Sequence, residues 1–334
     1  MRRLLSSLVG LILALQTFTL SAETKGDWQD FDGKAQGTTY RIRYFGPSEK
    51  LIAPDIEKRL QEIDRVFSNY RKDSAIELFN AKRSKDWQTV PSELARLVIK
   101  AKEFSELTSG AFDITIGQLL KVWGFGPYKS HSKKKTIPTD AAIAEALARS
   151  GYRKLEAKLD PPSLKKLNPD ILVDLSGIAQ GYTVDQLGEL LEQKTIRSYL
   201  VEVGGELRGR GTNKEGKAWQ VAVENPEVDS GLGNILSLSA ASLSTSGNYR
   251  DYVEIHGIRY SHIFDPRVGR PIPSEFVSAS VMTADCTTAD ALAKAFLILS
   301  EPEQKALATK LQLAVLLQKR VGKDFTSSRL GNFP

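Results

Sequence analysis

The loop at residues 259–271 collects side chains that could transfer protons or bind phosphate. Its sequence, RYSHIFDPRVGRP, contains His262, one of only three histidines in the chain, and Asp265 follows three residues later. This pair could supply acid–base chemistry or orient phosphates, and Arg267 and Arg270 could neutralise them. The alternative is a hairpin in which the Asp-Pro and Val-Gly pairs serve only as turn residues. Because rigid loops often carry functional sites, we favour a functional loop.

A carboxylate on an otherwise apolar helix is a second candidate. Asp290 stands early in the segment ADCTTADALAKAF (284–296), and the pattern predicts a helix over 288–299. One interpretation is a structural carboxylate that complements the positive end of the helix dipole and caps the first turn. The functional interpretation is a site for a hard cation, because proteins hold Mg²⁺ with one carboxylate plus carbonyl and phosphate oxygens.

The segment DLSGIAQGYTVD (174–185) has the physical features of a phosphate-binding turn. Asp174 ends an apolar run at 171–174 that predicts a buried strand, and small residues then open a helix reaching about Gln193. Free backbone N–H groups and the helix dipole favour an anion at such a start. The spacing fits neither the Walker A loop nor the Rossmann fingerprint. The alternative is a helix capped by Ser176, with no ligand.

Two glycine-rich segments carry aromatic residues between their glycines. These are GAFDITIG (110–117) and WGFG (123–126). Flat aromatic surfaces with close access to the backbone suit a planar ring such as that of a cofactor. A helix-to-strand turn with core aromatics explains the same pattern, and the sequence does not separate the two interpretations.

The elements that must position these motifs are of mixed type. Residues 38–44 alternate as in a strand, apolar residues at helical spacing follow a helix start at Pro54, and another helix spans about 91–107. From residue 171 onwards, short strands are joined by glycine-rich turns. Since no regular βαβ repeat is present, the sequence predicts an α+β fold with mixed, largely antiparallel sheets and packed helices. The change of pattern places a sub-domain boundary near 150–170.

The N-terminal segment, residues 1–22, has the parts of a cleavable signal peptide. Arg2 and Arg3 precede an apolar stretch from Leu8 to Leu15, and small residues follow at the exit. The apolar stretch is about half of the ~20 residues that a spanning helix needs. With no cysteine near the junction to carry a lipid, we expect residues 23–334 to be a periplasmic protein without a membrane anchor.

Composition narrows the class further. Apolar residues make up 41% and charged residues 26%, which is typical of a globular protein and excludes a disordered chain. The lysines at 133–135 are interpreted as a solvated loop, so no nucleic-acid partner is expected. Cys286 is the only cysteine, which excludes an internal disulfide, and it is predicted to be a small core residue.

Taken together and in order, the motifs resemble the ApbE family, the FAD:protein FMN transferases, over nearly the whole of residues 23–334. The pieces that carry the resemblance are GTTY (37–40), SNY (68–70), GAFDITIG, WGFG, DLSGIAQGYTVD, VGGELRGRG (203–211), STSGNYR (244–250), YSHIFDPRVGRP (260–271) and TADALAKAF (288–296). HIFDPRVG and DLSGIAQG are rather specific.

The resemblance implies a phosphoryl transfer from FAD with Mg²⁺. The hydroxyl of a Thr or Ser on an exported or membrane-bound acceptor protein would attack the FMN-side phosphorus, leaving FMN on the acceptor as a phosphoester and releasing AMP. Within this pattern His262 takes part in the transfer step, as a base or as a phosphate ligand. The metal is assigned to the Gly177 carbonyl, the Asp290 carboxylate and position Lys294. The cofactor-binding positions are Gln36, Tyr70, Ala111, Phe112, Asp113, Asp174, Gln180 and Ile263.

Three residues depart from the family pattern. Gln36 stands where Met is common, and Gln180 where Lys or Glu is usual. Lys294 stands where the family has a Thr that helps to ligate the metal. A lysine at i+4 can form an ion pair with Asp290 and compete with a cation. Our hypothesis is that Lys294 weakens or partly replaces Mg²⁺.

Two alternatives to a transferase remain open. With water as the nucleophile, the same site would be an Mg-dependent FAD pyrophosphatase that yields FMN and AMP. A non-catalytic periplasmic FAD-binding protein is the third interpretation, and the substitutions at Gln180 and Lys294 are its motivation. We expect the transferase because the histidine loop and Asp290 are intact.

Overall fold

The computed structural model describes residues 26–129, 136–224, 232–248, 252–255, 258–273, 276–322 and 324–334. The predicted signal peptide and the lysines at 133–135 lie outside these ranges. In the described residues the strands are β1 (Asp27–Ala35), β2 (Thr38–Gly46), β3 (Gln88–Thr89), β4 (Leu155–Leu159), β5 (Pro162–Lys166), β6 (Ser198–Val203), β7 (Glu206–Arg210), β8 (Trp219–Glu224), β9 (Leu232–Leu238), β10 (Ala240–Gly247), β11 (Tyr252–Ile255), β12 (Ile258–Ser261), β13 (Phe264–Asp265), β14 (Arg270–Pro271), β15 (Phe276–Thr283), β16 (Ala314–Val321) and β17 (Asp324–Leu330).

Along the chain, the helices of the described residues fall between these strands. They are α1 (Glu49–Phe67), α2 (Ala75–Ala81), α3 (Ser92–Leu107), α4 (Gly117–Trp123), α5 (Asp140–Ala148), α6 (Ala179–Gln193), α7 (Cys286–Ile298) and α8 (Glu301–Leu311). Short 3₁₀ turns occur at Gly126–Tyr128 and Tyr152–Lys154. With helices and antiparallel strands mixed in this way, the predicted α+β fold class is confirmed.

The main sheet has the strand order β1-β2-β6-β7-β10-β15-β16-β17, counted over the residues that the structure describes. Each neighbouring pair is antiparallel. Tyr40, Ile42 and Tyr44 of β2 are buried while their neighbours are less so, which is the period-two burial of a sheet with one face on the core. Helix α7 packs on β10 and β15 and also contacts α6, so these two helices meet over the centre of the sheet.

The largest hydrophobic cluster joins the motif-bearing segments. It contains Phe112 from the GAFD loop, Ile178 at the start of α6, Ile263 from the histidine loop and Ala291 from α7. Burial of these side chains therefore holds four segments that are far apart in sequence against one another. The prediction of a sub-domain boundary near 150–170 is not tested by these contacts and stays a prediction.

Three local predictions from the sequence are wrong. Pro54 does not start a helix but lies inside α1, because the buried Ile52 already belongs to the apolar stripe that packs on the core. Residues 171–174 form no strand. The N–H and C=O of Val173 bond to the side chain of Asn80, while the N–H of Asp174 donates to the carbonyl of Ile114. Ser176 does not cap α6, whose N-cap residue is Ile178.

Within the described part of the chain, no helix combines the length and the apolar character needed to cross a bilayer.

Candidate active site

Asp290 lies at the crossing of α6 and α7, and its side chain has no exposed surface. The backbone N–H of Gly181 in α6 donates a hydrogen bond of 2.9 Å to Oδ2 of Asp290. A β-carbon at Gly181 would lie 2.4 Å from the carbonyl oxygen of Cys286 and 2.7 Å from Cβ of Asp290. Only glycine fits there without a shift of the backbone, so Gly181 sets how closely the two helices approach.

Lys294 lies one helical turn after Asp290, and its ammonium forms an ion pair with Oδ1 of that carboxylate. The side chain of Lys294 is 24% exposed. A β-carbon at Gly177 would lie 3.2 Å from Cδ of Lys294 and 3.3 Å from Cε2 of Phe112. The lysine stem and the phenylalanine ring thus flank Gly177, and the structure brings together the three residues predicted to form the metal site.

The ammonium of Lys294 is the positive charge that faces two buried carboxylates at this crossing. Burial acts to lower the pKa of Lys294, but the charges of Asp290 and Glu206 outweigh it, so the pKa lies above its ordinary value and the side chain is a cation. Glu206, at the start of β7, is only 4% exposed. The same carboxylates, after burial itself, raise the pKa of the Cys286 thiol, which is fully buried as predicted for a core residue.

The residues present do not fit a divalent cation in this arrangement. Each oxygen of Asp290 already accepts from a donor, one from Gly181 and one from Lys294. Within the described residues, no group of three or more His, Cys, Asp or Glu side chains is placed to hold a metal ion. A Mg²⁺ ion at Asp290 would require Lys294 to leave the carboxylate.

Two asparagines that the sequence reasoning did not single out hold the segment before α6. Asn80 donates to the carbonyl of Val173 at 2.8 Å and accepts from the N–H of the same residue at 2.8 Å. Asn69 donates to the Val173 carbonyl at 2.9 Å and accepts from the N–H of Leu175 at 2.8 Å. Both also donate to Glu77. At Val173 and Leu175 these amides take the place of a neighbouring strand, and the SNY motif is the signal that could identify Asn69.

Asp174 follows this segment and is buried. Ser176 donates to its Oδ1 from both the backbone N–H and the hydroxyl. Burial nevertheless raises the pKa of Asp174 above its ordinary value. A β-carbon at Gly126, in the WGFG segment, would lie 3.9 Å from Oδ2 of Asp174. The Asp174 carboxylate, which is predicted to bind the cofactor, therefore lies against a glycine-rich turn whose backbone is not covered by a side chain at Gly126.

Asp113 organises the GAFD loop from inside. Its carboxylate accepts from the N–H and the hydroxyl of Thr115, both at 2.7 Å, and from the N–H of Tyr152 at 2.8 Å. Burial raises its pKa despite these bonds. Ala111 and Phe112 beside it are buried, with Phe112 edge-to-face against Phe104 at 6.3 Å. Asp113 thus fixes the loop, and its predicted contact with the cofactor stays a prediction.

The histidine loop is held by aromatic packing and ion pairs. Phe264 packs against Trp123 and Phe125 at centroid distances of 5.7 and 5.4 Å, which joins this loop to the WGFG segment. Arg267 pairs with Asp265 at 2.9 Å and also with Glu303. These pairs occupy two of the groups proposed for phosphate or acid–base chemistry, so the structure gives them a loop-holding role.

The histidine loop also contains Arg270, Ile263 and His262, for which the sequence predicts roles in binding or transfer. Arg270 forms an ion pair of 2.5 Å with the exposed Asp140. Ile263 is buried, and its N–H bonds to the hydroxyl of Ser261 at 3.0 Å. His262 is partly exposed. The loop therefore presents the histidine at the surface of a rigid support.

Gln36 and Gln180 lie near the first turns of α6. The side-chain amide of Gln36 donates to the hydroxyl of Thr183 at 2.6 Å, and its buried Oε1 has no hydrogen-bond partner among the described residues. Gln36 also borders a cavity of about 480 Å³. A β-carbon at Gly204 would lie 2.7 Å from Nε2 of Gln180. Tyr70, by contrast, is 71% exposed.

The fold of this chain is similar to that of solved flavin transferases. Flavin transferase ApbE from Vibrio cholerae superposes with a TM-score of 0.84 at 34% identity, covering 92% of this chain and 98% of its own. The apo form of Pseudomonas stutzeri flavinyl transferase ApbE gives 0.83 at 32% identity, covering 92% and 96%.

Sequence comparisons agree. The model of the ApbE family matches residues 36–317. The FAD:protein FMN transferase of Vibrio cholerae is 35% identical over 96% of this chain and 97% of its own length. That of Haemophilus influenzae is 34% identical over 100% and 98%. The chain belongs to the ApbE family, and the predicted resemblance is confirmed.

Proposed function

We propose that this protein is an FAD:protein FMN transferase. The acceptor hydroxyl oxygen forms a bond to the FMN-side phosphorus of FAD, and the bond from that phosphorus to the bridging oxygen breaks. The bridging oxygen leaves with the electron pair as part of AMP, while the hydroxyl proton passes to a base or to solvent. FMN remains on the acceptor as a phosphoester.

The single observation that carries this proposal is similarity along the whole chain to proteins with this one name. Relatives called FAD:protein FMN transferase match 96–100% of this chain at 34–35% identity. The site adds support, because the segments that carry Phe112, Asp174, Ile263 and Asp290 pack on one another. A partly exposed His262 on a rigid loop suits a residue that must meet both FAD and a protein acceptor.

We further propose that the enzyme is exported and that its acceptors are exported or membrane-bound proteins. The sequence of residues 1–22 supports export, and an exported enzyme would modify periplasmic or membrane-bound proteins that carry a reactive Thr or Ser. Mass spectrometry of the protein from a periplasmic extract tests this. A mature chain beginning near residue 23 supports export, and an intact chain confined to the cytoplasm contradicts it.

The transfer itself is tested with residues 23–334, FAD, Mg²⁺ and a flavin-acceptor domain that carries a reactive Thr. We expect the acceptor to gain the mass of FMN and AMP to appear in equal amount. His262→Ala should abolish the mass gain, whereas His131→Ala, outside every motif of the resemblance, should not. AMP release without acceptor modification would identify the pyrophosphatase, and bound FAD without turnover would identify the binding protein.

A further inference from the structure

Lys294, which pairs with Asp290, points to a source of positive charge other than a metal ion at this carboxylate. We propose that the ammonium of Lys294 is the resident cation of the Asp290 site, so that no divalent metal binds this carboxylate during FMN transfer. This inference rests on the transferase function proposed above. It makes the predicted Mg²⁺ requirement a property that this chain has lost at Asp290.

The first argument is the occupancy of the carboxylate. Oδ1 of Asp290 is bound by the Lys294 ammonium and Oδ2 by the N–H of Gly181. The N–H of Gly181 is fixed by the close crossing of α6 and α7, where a β-carbon would be 2.4 Å from the Cys286 carbonyl. A metal ion would therefore have to displace the lysine to reach an oxygen of this carboxylate.

The second argument is the path of the lysine stem. Its Cδ lies 3.2 Å and its Cε 3.6 Å from the position of a β-carbon at Gly177. Gly177 is the residue whose carbonyl the family resemblance assigns to the metal. The stem therefore passes beside Gly177 on its way to the Asp290 carboxylate. An ammonium has three donors, so bonding to Asp290 leaves two for other oxygens such as those of a phosphate.

The third argument is charge. Asp290 and Glu206 are both buried, and a buried carboxylate without a cation is strongly unfavourable. Lys294 supplies one positive charge that cannot dissociate. A divalent ion placed beside this ammonium would meet like-charge repulsion at close range in a poorly solvated site. The lysine and the metal are thus alternatives for the same position.

The test uses full mature chains and Mn²⁺ as a spectroscopic probe, with free Mn²⁺ measured by electron paramagnetic resonance in the presence of FAD. The variant is Lys294→Thr, which removes the ammonium and adds an oxygen ligand. We expect Lys294→Thr to bind one Mn²⁺ about 10–100-fold more tightly than the wild type, because the affinity of metal sites changes on that scale when one group around the metal is altered. Asp290→Asn in the Lys294→Thr background should remove the gained site.

The companion measurement is FMN transfer in EDTA. Wild-type transfer should change little, while Lys294→Thr should lose about 100-fold, the scale for removing one electrostatic group from a transition state, and recover with Mg²⁺. A wild-type chain that binds one Mn²⁺ in a manner abolished by Asp290→Asn, or that stops transferring FMN in EDTA, would overturn the proposal. The comparison of the wild type with Asp290→Asn needs neither Lys294→Thr nor an acceptor, so it decides the matter even if Lys294→Thr fails to fold. Absence of transfer in every sample would refute the proposed function instead.

Discussion

Gly181 is the residue whose replacement by alanine should most directly disturb the geometry around Asp290. The added methyl group would lie 2.4 Å from the carbonyl oxygen of Cys286 and 2.7 Å from Cβ of Asp290. Neither atom belongs to the free end of a flexible side chain. Helices α6 and α7 must therefore move apart, and the 2.9 Å bond from the Gly181 N–H to Asp290 must lengthen or break.

The change in the free energy of unfolding follows from one stabilising contribution and two destabilising ones. Alanine is favoured over glycine inside a helix by about 1 kcal/mol. Overpacking a tight contact costs about 1–3 kcal/mol. Losing a hydrogen bond to a charged group costs about 1.5–3 kcal/mol. We therefore expect Gly181→Ala to lower the free energy of unfolding by about 1.5–5 kcal/mol.

Urea unfolding followed by circular dichroism measures this difference, and Gly188→Ala in the same helix is the matched control. There the new methyl group would meet the hydroxyl of Tyr199 at 3.0 Å and the Arg208 side chain at 3.1 Å, and side-chain ends can shift. Helix propensity and mild crowding should nearly cancel, leaving a change within about 1 kcal/mol. If Gly181→Ala is as stable as Gly188→Ala, the close crossing is not what fixes Asp290.

Two further predictions concern buried polar groups. Asn80→Ala leaves the N–H of Val173 without its partner and removes one donor from the Val173 carbonyl. The free energy of unfolding, measured by urea titration, should therefore fall by about 2–4 kcal/mol. A decrease below about 0.5 kcal/mol would contradict the bridging role of Asn80. Burial lowers the pKa of Lys166 to about 8 from the ordinary 10.5. Between these values the unfolded chain binds more protons than the folded one, so this lysine makes stability rise with pH by up to about 1.4 kcal/mol per unit. Lys166→Met should lose that rise in urea titrations at pH 7.5–9.5, and identical slopes in both proteins would refute the assignment.

Much of the candidate site was predictable because its signals are local and ordered. The apolar spacing of residues 288–299 predicted a helix, and α7 is Cys286–Ile298. The interpretation of Asp290 as the residue that caps the first turn of this helix is wrong. Asp285, not Asp290, is the N-cap, and it accepts from the N–H of Thr288 at 3.0 Å. With the cap supplied by another residue, the Asp290 carboxylate is left for Gly181 and Lys294.

The apolar run at 171–174 could not be interpreted correctly from the sequence. Burial was predicted and is observed for Ile171 and Val173, but a strand was expected because apolar runs of this length commonly form one. The hydrogen-bond partners of Val173 are instead the side-chain amides of Asn69 and Asn80, about a hundred residues earlier in the chain. No periodicity within the run records partners that distant, so only the three-dimensional structure could reveal them.

The ion pair of Lys294 has a consequence for the protein before any flavin binds. Asp290 is fully buried and Glu206 nearly so, and a fold with two such carboxylates needs a cation to be stable. A dissociable metal would leave this charge uncompensated whenever the metal was absent. Lys294 is covalently attached and keeps its positive charge, because the two carboxylates hold its pKa above the ordinary value despite burial. The substitution at Lys294 thus joins the stability of the α6–α7 crossing to the chemistry proposed there. A change at this residue should alter both together.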